Sequence, residues 1–418
     1  MDTTRLNLSY AGGIIQGRIR LTGSKSESNR ALIIRALFED VDIANLSEAE
    51  DTITLAKALT QVKQCTGKEQ LTVDVGPAGT AMRFLTAFLA LRPGDYELTG
   101  SARMQQRPIQ ILVDALNSLG ASISYAGQPG YPPIRIKGGF EQVKPEVEIK
   151  GDVSSQYLSA LLLIASALPQ GLKLHILGDL TSKPYVGMTL AMLAEAGIQH
   201  RWEENSIAIP PQSASPTTLY IEPDWSAASY WYSIIALSPA GSSLLLPGLK
   251  SNSLQGDRAI VDIMVNFGVQ STFVQEGVKI EKIDHPSFEN RCFDLKECPD
   301  LAQTIIVCAA ALGRQASFTG LETLKIKETD RIKALQNELG KFGVALIEDG
   351  QTYHLRPEKM FVPKIVSIAT YEDHRMAMAF APLAILFGQI AIEEPAVVGK
   401  SYPLFWKHLE QIGFKINS

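Results

Sequence analysis

The chain has 418 residues, of which 45% are hydrophobic and 20% charged, and its formal net charge is −5. This composition indicates a soluble globular protein of two or three domains, with no excess of positive charge that would favour nucleic acid or an anionic membrane as a partner. No apolar run is long enough to span a bilayer, and the opening MDTTRLNLSYAGG lacks the apolar core of a signal peptide, so a cytoplasmic protein is expected. The four cysteines form no CxxC pair, which predicts neither a metal site nor a disulfide framework.

The predicted elements begin with two segments that alternate like β-strands, RLNLSY and IIQGRIRL, which could pair with either half of the chain. Six later segments start polar and are then apolar on nearly every face, as buried helices are. In chain order they read SNRALIIRALF, GTAMRFLTAFLAL, SSQYLSALLLIASAL, WSAASYWYSIIAL, DLAQTIIVCAAAL and DHRMAMAFAPLAILF.

A second set of segments is amphipathic, and five of its members end in glycine. They read ILVDALNSLGASI, TLAMLAEAGIQ, IVDIMVNFGVQ, ALQNELGKFGVAL and FWKHLEQIGFKI, with a weaker copy, DTITLAKALTQV, that lacks the glycine. The glycines fall at positions 120, 197, 268, 343 and 413, spaced by 77, 71, 75 and 70 residues. Glycine after a helix is typical of the C′ position, and a β-like run follows each copy.

The spacing predicts a repeated unit of about 70 residues, in which a buried helix, a strand, an amphipathic helix and a strand follow one another. Such a unit is longer than the common solenoid repeats of about 20 to 50 residues. Six copies suit two α/β domains of three units each, with a boundary near LYIEPDWSAAS. The two halves are then residues 23–222 and 223–418.

The polar starts of the six buried helices contain more functional groups than helix capping requires. In GSKSESNR, one Ser or Asn would cap the helix, and a Lys at a helix N-terminus is unfavourable unless an anion binds there. The cations of these starts are Lys25, Arg30, Arg83 and Arg375, and nearby loops add Arg107, Lys327, Arg331 and Lys400. If the helix starts share a face in each domain, the pattern predicts a small polyanionic substrate held between the domains.

Each of these motifs also has a plain structural interpretation. GPAGT is often only a turn, and no GK[ST] follows it as a P-loop would require. Ser154 and Ser155 are explained equally well as N-caps, KETDR as a solvated charge cluster, and His374 as a core histidine. The functional interpretation depends on the recurrence of such groups at equivalent places in six units.

The chain resembles the 5-enolpyruvylshikimate-3-phosphate synthase family nearly from end to end. The resemblance lies in motifs that occur in the family's order: GSKSESNRAL, AGTAMRF, RPIQ, GDVSSQYLSALLL, SKPYV, PD, KIKETDRI, EDHRMAMAF and GKSYPLFW. It implies an inside-out α/β barrel of two domains, each of three βαβαββ units, with the N-terminal strand in the C-terminal half. The implied domains are 23–222 and 1–22 plus 223–418.

The resemblance also implies an enolpyruvyl transfer from phosphoenolpyruvate to the 5-hydroxyl of shikimate 3-phosphate, with release of phosphate and without a metal or cofactor. A monomer that binds only these small molecules is expected. Carried over motif by motif, the residues implied for shikimate 3-phosphate are Lys25, Ser26, Arg30, Ser154, Ser155, Gln156, Ser182, Asp300 and Lys327. Those implied for phosphoenolpyruvate are Lys25, Gly79, Arg107, Gln156, Arg331, Arg375 and Lys400.

Three residues are implied in catalysis. Asp300 is expected to accept the proton of the 5-hydroxyl, and Glu328 to exchange a proton with the enolpyruvyl carbon, with Lys25 close by. Two residues depart from the family pattern around the phosphoenolpyruvate pocket: Pro77 replaces a common Asn, and Phe84 a common Pro.

Two alternatives are disfavoured by the sequence. The related UDP-N-acetylglucosamine enolpyruvyl transferases usually carry a Cys in a mobile loop that here reads GSARMQQRPIQ, without Cys. A non-catalytic scaffold that binds anions would not need the carboxylates Asp300 and Glu328 among its cations.

Overall fold

The computed structural model describes residues 5–65, 69–152, 154–283 and 291–417. Contacts between residues divide the chain into two compact units, one formed by Gly23–Ile221 and the other by Met1–Thr22 together with Glu222–Ser418. Each unit has its own hydrophobic core. The α/β class expected from the sequence is confirmed, since helices and strands alternate through both units.

The α-helices of the described residues are α1 (Lys25–Leu37), α2 (Glu50–Gln64), α3 (Gly79–Leu91), α4 (Gln110–Ser118), α5 (Ser155–Ala165), α6 (Lys183–Glu195), α7 (Trp225–Leu237), α8 (Ile260–Ile263), α9 (Ala302–Ala311), α10 (Arg331–Gly340), α11 (His374–Phe380), α12 (Ala384–Phe387) and α13 (Phe405–Gln411). Short 3-10 helices are Met104–Gln106, Gly256–Ala259, Met264–Phe267, Pro299–Leu301, Glu322–Ile326, Ala381–Leu383 and Pro395–Lys400.

The strands are β1 (Arg5–Tyr10), β2 (Gln16–Arg18), β3 (Val41–Ala44), β4 (Leu71–Asp74), β5 (Gly94–Thr99), β6 (Ser122–Tyr125), β7 (Ile134–Gly138), β8 (Glu146–Lys150), β9 (Leu172–Leu177), β10 (Arg201–Glu203), β11 (Ser206–Ile209), β12 (Thr217–Tyr220), β13 (Ser243–Pro247), β14 (Val269–Val274), β15 (Gly277–Lys282), β16 (Cys292–Asp294), β17 (Ala316–Thr319), β18 (Ala345–Asp349), β19 (Thr352–Arg356), β20 (Ser367–Ile368), β21 (Gln389–Glu393) and β22 (Phe414–Asn417).

The strands form six separate sheets in the described part of the chain, and five of these have four strands in one repeated order. In the sheet β4-β5-β7-β6, for example, β4 pairs in parallel with β5 and the remaining neighbours are antiparallel. A helix connects the parallel strands, as parallel pairing requires. The unit of about 70 residues is therefore a βαβαββ repeat, and the sixth sheet, β12-β3, has only two strands among the described residues.

The two N-terminal segments pair as strands with the C-terminal half of the chain. β1 lies between β21 and β22, and β2 pairs in parallel with β13. This is the arrangement that the family resemblance implied, whereas strand alternation by itself left the partner open.

The glycines that end the amphipathic segments have the backbone geometry expected of a helix C′ residue. Positions 120, 197, 268, 343 and 413 all have positive φ, between 82° and 114°. Glycine is favoured there because it has no Cβ to clash with the following carbonyl group. The predicted ends of these segments are confirmed.

Two predicted helices are shorter than their patterns indicated. IVDIMVNFG forms only the single turn α8, flanked by 3-10 helices, and its β-branched residues are weak helix formers. In DHRMAMAFAPLAILF, a 3-10 turn that contains Pro382 separates α11 from α12. Proline has no backbone N–H to donate, so the α-helical pattern ends there.

Candidate active site

Lys25 and Ser26 form the first turn of α1 in the 23–221 unit, where Ser24 is the N-cap and accepts a hydrogen bond from the backbone of Glu27. The Lys25 ammonium lies 3.1 Å from Oδ2 of Asp51 in the first turn of α2, and both side chains are largely buried. Asp51 therefore offsets part of the positive charge of Lys25 at the start of α1. Sequence reasoning missed Asp51, because its segment DTITLAKALTQV showed only a weak helical pattern.

Arg30 is buried and ties three helices together. Its guanidinium donates to Thr189 Oγ1 (2.7 Å) on α6, to Ser159 Oγ (3.1 Å) on α5, and to the carbonyls of Ser26 and Tyr185. These bonds use four of its five N–H donors. Burial lowers the pKa of Arg30 to about 10, which still leaves it charged at neutral pH.

Phe84, one of the two departures from the family pattern, supports the same guanidinium. The ring of Phe84 is buried, and its centroid lies 5.5 Å from Cζ of Arg30. The Tyr185 ring lies at 5.9 Å. Both distances are within the range of a cation–π interaction, so the two aromatic rings help to fix the orientation of Arg30.

The guanidinium of Arg107 lies against the start of α3. A Cβ placed on Gly79, the first residue of that helix, would come within 2.5 Å of Nη1 of Arg107. Arg107 is 7% exposed, and its buried Nε has no hydrogen-bond partner among the described residues. A backbone N–H at a helix start beside a guanidinium group is suited to binding a phosphate or carboxylate. Arg83, one turn further along α3, instead donates to the carbonyls of Gly79 and Pro108. It thereby links the start of α3 to the segment that follows Arg107.

The starts of α3 and α5 meet, as the sequence predicted for the buried helices. Nε2 of Gln156 donates to Oγ1 of Thr80 over 3.2 Å. Ser154 is the N-cap of α5, so its structural interpretation is confirmed, and the buried Ser155 is the first helical residue. Ser182 precedes α6 in the left-handed region, with φ 54° and ψ 42°. A non-glycine residue there costs roughly 1–2 kcal/mol, and such strain is common at functional sites.

Asp300, in the unit formed by 1–22 and 222–418, bridges two arginines. Its Oδ1 accepts from Nη1 of Arg331 (3.2 Å) and its Oδ2 from Nη2 of Arg375 (2.7 Å). Burial by itself would raise the pKa of Asp300, but Arg375, Lys327 and Arg331 together hold that pKa well below its usual range. Asp300 is therefore a carboxylate at neutral pH and can only accept protons or hydrogen bonds.

Arg331 pairs with three carboxylates in this unit. Besides Asp300, it binds Oε2 of Glu328 (2.9 Å) and Oδ2 of Asp373 (2.7 Å), and its side chain is 2% exposed. Burial would lower the pKa of Arg331, but the three carboxylates raise it above its ordinary value. The ion pair between Glu328 and Arg331 is largely buried, so KETDR is not the solvated charge cluster of its structural interpretation.

Arg375, in the first turn of α11, connects the starts of three buried helices in this unit. It contacts Asp300, just before α9, and its Nη2 lies 3.5 Å from Oγ of Ser226 in the first turn of α7. Its Nη1 also approaches the hydroxyl of the buried Tyr230 (3.4 Å). The predicted sharing of one face by the helix starts is confirmed here too. The adjacent His374 is buried, with Nδ1 3.8 Å from Oδ1 of Asp373.

The two predicted lysines of this unit, Lys400 and Lys327, lie at the ends of short 3-10 helices. Lys400 ends the Pro395–Lys400 3-10 helix and donates to the carbonyl of Glu372 (2.6 Å). Glu372, in the loop before α11, has a positive φ of 56°. Lys327 is half-buried and close enough to Asp300 to lower its pKa.

Sequence reasoning missed the carboxylates that compensate the predicted cations. These carboxylates include Asp373 in the polar start EDHR and Asp257 in LQGDR. The acidic residues in these segments were the available signal, because a buried arginine requires a buried anion as its partner. Across the described residues, no group of three or more His, Cys, Asp or Glu side chains is arranged to hold a metal ion. The helices in that part of the chain are also too short or too polar to cross a membrane.

Comparison with known proteins identifies the family. The family model described as EPSP synthase (3-phosphoshikimate 1-carboxyvinyltransferase) matches residues 10–409. A 3-phosphoshikimate 1-carboxyvinyltransferase of Bacteroides fragilis (strain YCH46) is 46% identical over 412 residues, covering 96% of each chain. The enzyme of the same name from Neisseria meningitidis serogroup C is 34% identical and covers 93% of this chain and 94% of the relative.

A solved structure supports the fold independently. The EPSP synthase of Acinetobacter baumannii superposes with a TM-score of 0.79 at 20% identity, covering 99% of this chain and 100% of that one. At that identity the likeness establishes the fold, and the sequence matches establish the family. The chain therefore belongs to the EPSP synthase family.

Proposed function

We propose that this protein transfers the enolpyruvyl group of phosphoenolpyruvate to the 5-hydroxyl of shikimate 3-phosphate and releases inorganic phosphate. A bond forms between the 5-oxygen and C2 of phosphoenolpyruvate, and the bond between C2 and the phosphate oxygen breaks. The proton added to C3 in the addition step is lost in the elimination step. In the overall reaction, the proton of the 5-hydroxyl ends on the released inorganic phosphate.

The observation that carries this proposal is the Asp300 carboxylate between Arg331 and Arg375. A base for a hydroxyl group must be ionised and able to accept a proton. Both arginines keep Asp300 ionised at 3.2 and 2.7 Å, and the same arginines are the bidentate donors that phosphate and carboxylate groups bind. One cluster thus supplies a candidate general base and donors for a substrate that carries both a phosphate and a carboxylate group.

The substrate contacts follow from the family motifs. For shikimate 3-phosphate we propose Lys25, Ser26, Arg30, Ser154, Ser155, Gln156, Ser182, Asp300 and Lys327. For phosphoenolpyruvate we propose Lys25, Gly79, Arg107, Gln156, Arg331, Arg375 and Lys400. What supports the set is that most members sit at helix starts or in adjoining loops, where N–H groups and helix dipoles favour anions.

The proton transfers are assigned to three residues. Asp300 accepts the proton of the 5-hydroxyl, and Glu328 exchanges the proton of the C3 carbon. Lys25 neutralises charge on phosphoenolpyruvate and assists the proton transfer. Since Arg331 and Arg375 are already paired with carboxylates, an incoming anion must replace part of these contacts, which loosens Glu328 and Asp300 for proton transfer.

Release of inorganic phosphate tests the proposal directly. The purified protein is incubated with phosphoenolpyruvate and shikimate 3-phosphate, with each substrate omitted in turn. Release that needs both substrates supports the proposal. Release with UDP-N-acetylglucosamine in place of shikimate 3-phosphate would support the disfavoured alternative. Binding of either ligand without release would favour a non-catalytic scaffold and contradict the proposed function.

We further infer that the enzyme is a cytoplasmic monomer whose domains are 23–222 and 1–22 plus 223–418. The monomer is supported by the presence of all proposed substrate contacts in one chain. The cytoplasm is supported by four free cysteines, of which Cys292 is exposed, because exposed thiols persist in reducing compartments. Light scattering after size-exclusion chromatography tests the first inference, since a dimer would double the mass of 45.6 kDa.

A further inference from the structure

Asp257 is a buried carboxylic acid that no step of the proposed mechanism uses. It lies in the Gly256–Ala259 3-10 helix and is 2% exposed. Its Oδ2 accepts a hydrogen bond from the hydroxyl of Ser226, in the first turn of α7. Its Oδ1 is buried and has no hydrogen-bond partner among the described residues. An ionised carboxylate with an unpartnered buried oxygen is unfavourable, which favours the protonated form.

Ser226 links Asp257 to the proposed anion-binding cluster. The same hydroxyl that donates to Asp257 lies 3.5 Å from Nη2 of Arg375. That Nη2 atom also donates to Asp300 over 2.7 Å. Two carboxyl groups, Asp257 and Asp300, thus lie around one guanidinium group. Arg375 faces an excess of negative charge whenever both are ionised, although Arg331 and Lys327 offset part of the charge of Asp300.

The charged and titratable groups around Asp257 come from three other segments. They are Asp224 at the start of α7, Cys298 and Asp300 before α9, and Arg375 on α11. Arg258 points away, toward Asp262 (3.1 Å) and the ring of Phe273. Near neutral pH Asp300 stays ionised, and the Cys298 thiol stays neutral because burial raises its pKa far above its usual range.

Burial and the nearby charge of Asp300 raise the pKa of Asp257 to about 7, although Arg375 and the Ser226 hydroxyl act in the opposite direction. An anion bound at Arg375 adds negative charge close to Asp257 and favours its protonated form further. By linkage, the protonated form must then bind the anion more tightly than the ionised form.

We propose that Asp257 is a positioning residue that controls anion binding at Arg375: its carboxyl group permits phosphoenolpyruvate to bind when protonated and weakens binding when ionised. This inference rests on the proposed function, because it takes Arg375 as a ligand of phosphoenolpyruvate. It adds a proton-dependent step that precedes the chemistry and involves no contact between Asp257 and the substrate.

The test is the pH dependence of KM for phosphoenolpyruvate between pH 6.5 and 9, at saturating shikimate 3-phosphate. The substrate's own phosphate has a second pKa of about 6 and so keeps its charge over most of this range. In the wild type, KM should rise above pH 7 by roughly 5- to 100-fold, the usual size of such coupling. In Asp257→Asn, which is neutral at every pH and still accepts from Ser226, KM should stay low and flat.

Two further variants make the result specific. Asp262→Asn removes an exposed carboxylate that pairs with Arg258 and lies away from Arg375. This control should keep the wild-type dependence of KM on pH. Ser226→Ala removes a bond that stabilises ionised Asp257, so the rise in KM should move to higher pH even if Asp257→Asn does not fold. An Asp257→Asn profile parallel to that of the wild type, or an unshifted Ser226→Ala profile, would overturn the inference.

The two proposals fail in different ways. Release of phosphate by the wild type at pH 7 tests the enolpyruvyl transfer, and it does not depend on Asp257. Normal release with identical pH profiles in wild type and Asp257→Asn would leave the proposed function intact and remove only the role of Asp257. No release by the wild type, together with no calorimetric binding of phosphoenolpyruvate at pH 6.5, would overturn both.

Discussion

Asp300 and Arg375 form an ion pair in which Nη2 of Arg375 lies 2.7 Å from Oδ2 of Asp300, and Nη1 also approaches the backbone carbonyl of Asp300 (3.2 Å). The pair joins the segment before α9 to the first turn of α11, two buried helices that start at the same face. The ion pair keeps Asp300 ionised. It also orients the guanidinium of Arg375, which could bind a substrate anion in place of Asp300.

Asp300→Asn should lower kcat by about 10²- to 10⁴-fold, since the 5-hydroxyl loses its proton acceptor. Removing the negative charge also frees Arg331 and Arg375, so KM for phosphoenolpyruvate should not rise. Steady-state kinetics, with binding of shikimate 3-phosphate measured by calorimetry, separates the two effects. A variant that keeps more than about a tenth of the wild-type kcat would contradict the role of Asp300 as base.

Glu328→Gln distinguishes proton transfer from loop ordering. Glutamine can still accept a hydrogen bond from Arg331, so a purely structural role predicts a modest loss of activity. A proton-transfer role predicts a fall in kcat of about 10²- to 10⁴-fold with substrate binding largely intact. The matched control is Glu322→Gln, an exposed residue of the preceding 3-10 helix, which should remain fully active.

Lys25→Arg tests whether Lys25 does more than supply positive charge. Arginine keeps the charge but replaces a compact ammonium group, which here lies 3.1 Å from Asp51 in a largely buried setting. We expect kcat to collapse while shikimate 3-phosphate still binds in calorimetry. Near-normal turnover would reduce Lys25 to an electrostatic role. Lys63→Arg, at an exposed ion pair with Glu39, serves as the control.

Gly79→Ala should weaken phosphoenolpyruvate binding without unfolding the protein. The new methyl group would meet the end of the flexible Arg107 side chain at 2.5 Å, so the guanidinium must move and the backbone need not. KM for phosphoenolpyruvate is expected to rise about tenfold or more, the loss typical of one displaced charged contact. KM for shikimate 3-phosphate should change little, and an unchanged KM for phosphoenolpyruvate would show that Arg107 does not bind it.

Asp257→Asn should also change how stability depends on pH. The folded protein retains a proton on Asp257 up to about pH 7, whereas the unfolded chain loses it near the ordinary aspartate pKa of about 4. Stability of the wild type therefore falls as the pH rises through this window. The free energy of unfolding, measured with urea, should therefore change in favour of the variant, relative to the wild type, between pH 4 and pH 8. An equal difference at both pH values would contradict a raised pKa.

The local structure and the anionic chemistry of the site could be predicted from the residues alone. Helix starts, the glycines after the amphipathic helices and the repeat of about 70 residues depend on neighbours within one turn, so their patterns are visible without coordinates. The family motifs implied the substrates and the roles of Asp300, Glu328 and the cations, and those roles stay predictions.

Which charges pair and which strands are neighbours depends on long-range contacts that no sequence pattern shows. Arg331 binds Asp373 across 42 residues of sequence, and Arg30 binds Thr189 across 159. Strand alternation could not choose the partner of β1, which inserts between β21 and β22. Asp257 illustrates the physical reason: a carboxylate in LQGDR is ordinary by composition, and only burial beside Ser226 and the charge of Asp300 make it a proton-binding group at neutral pH.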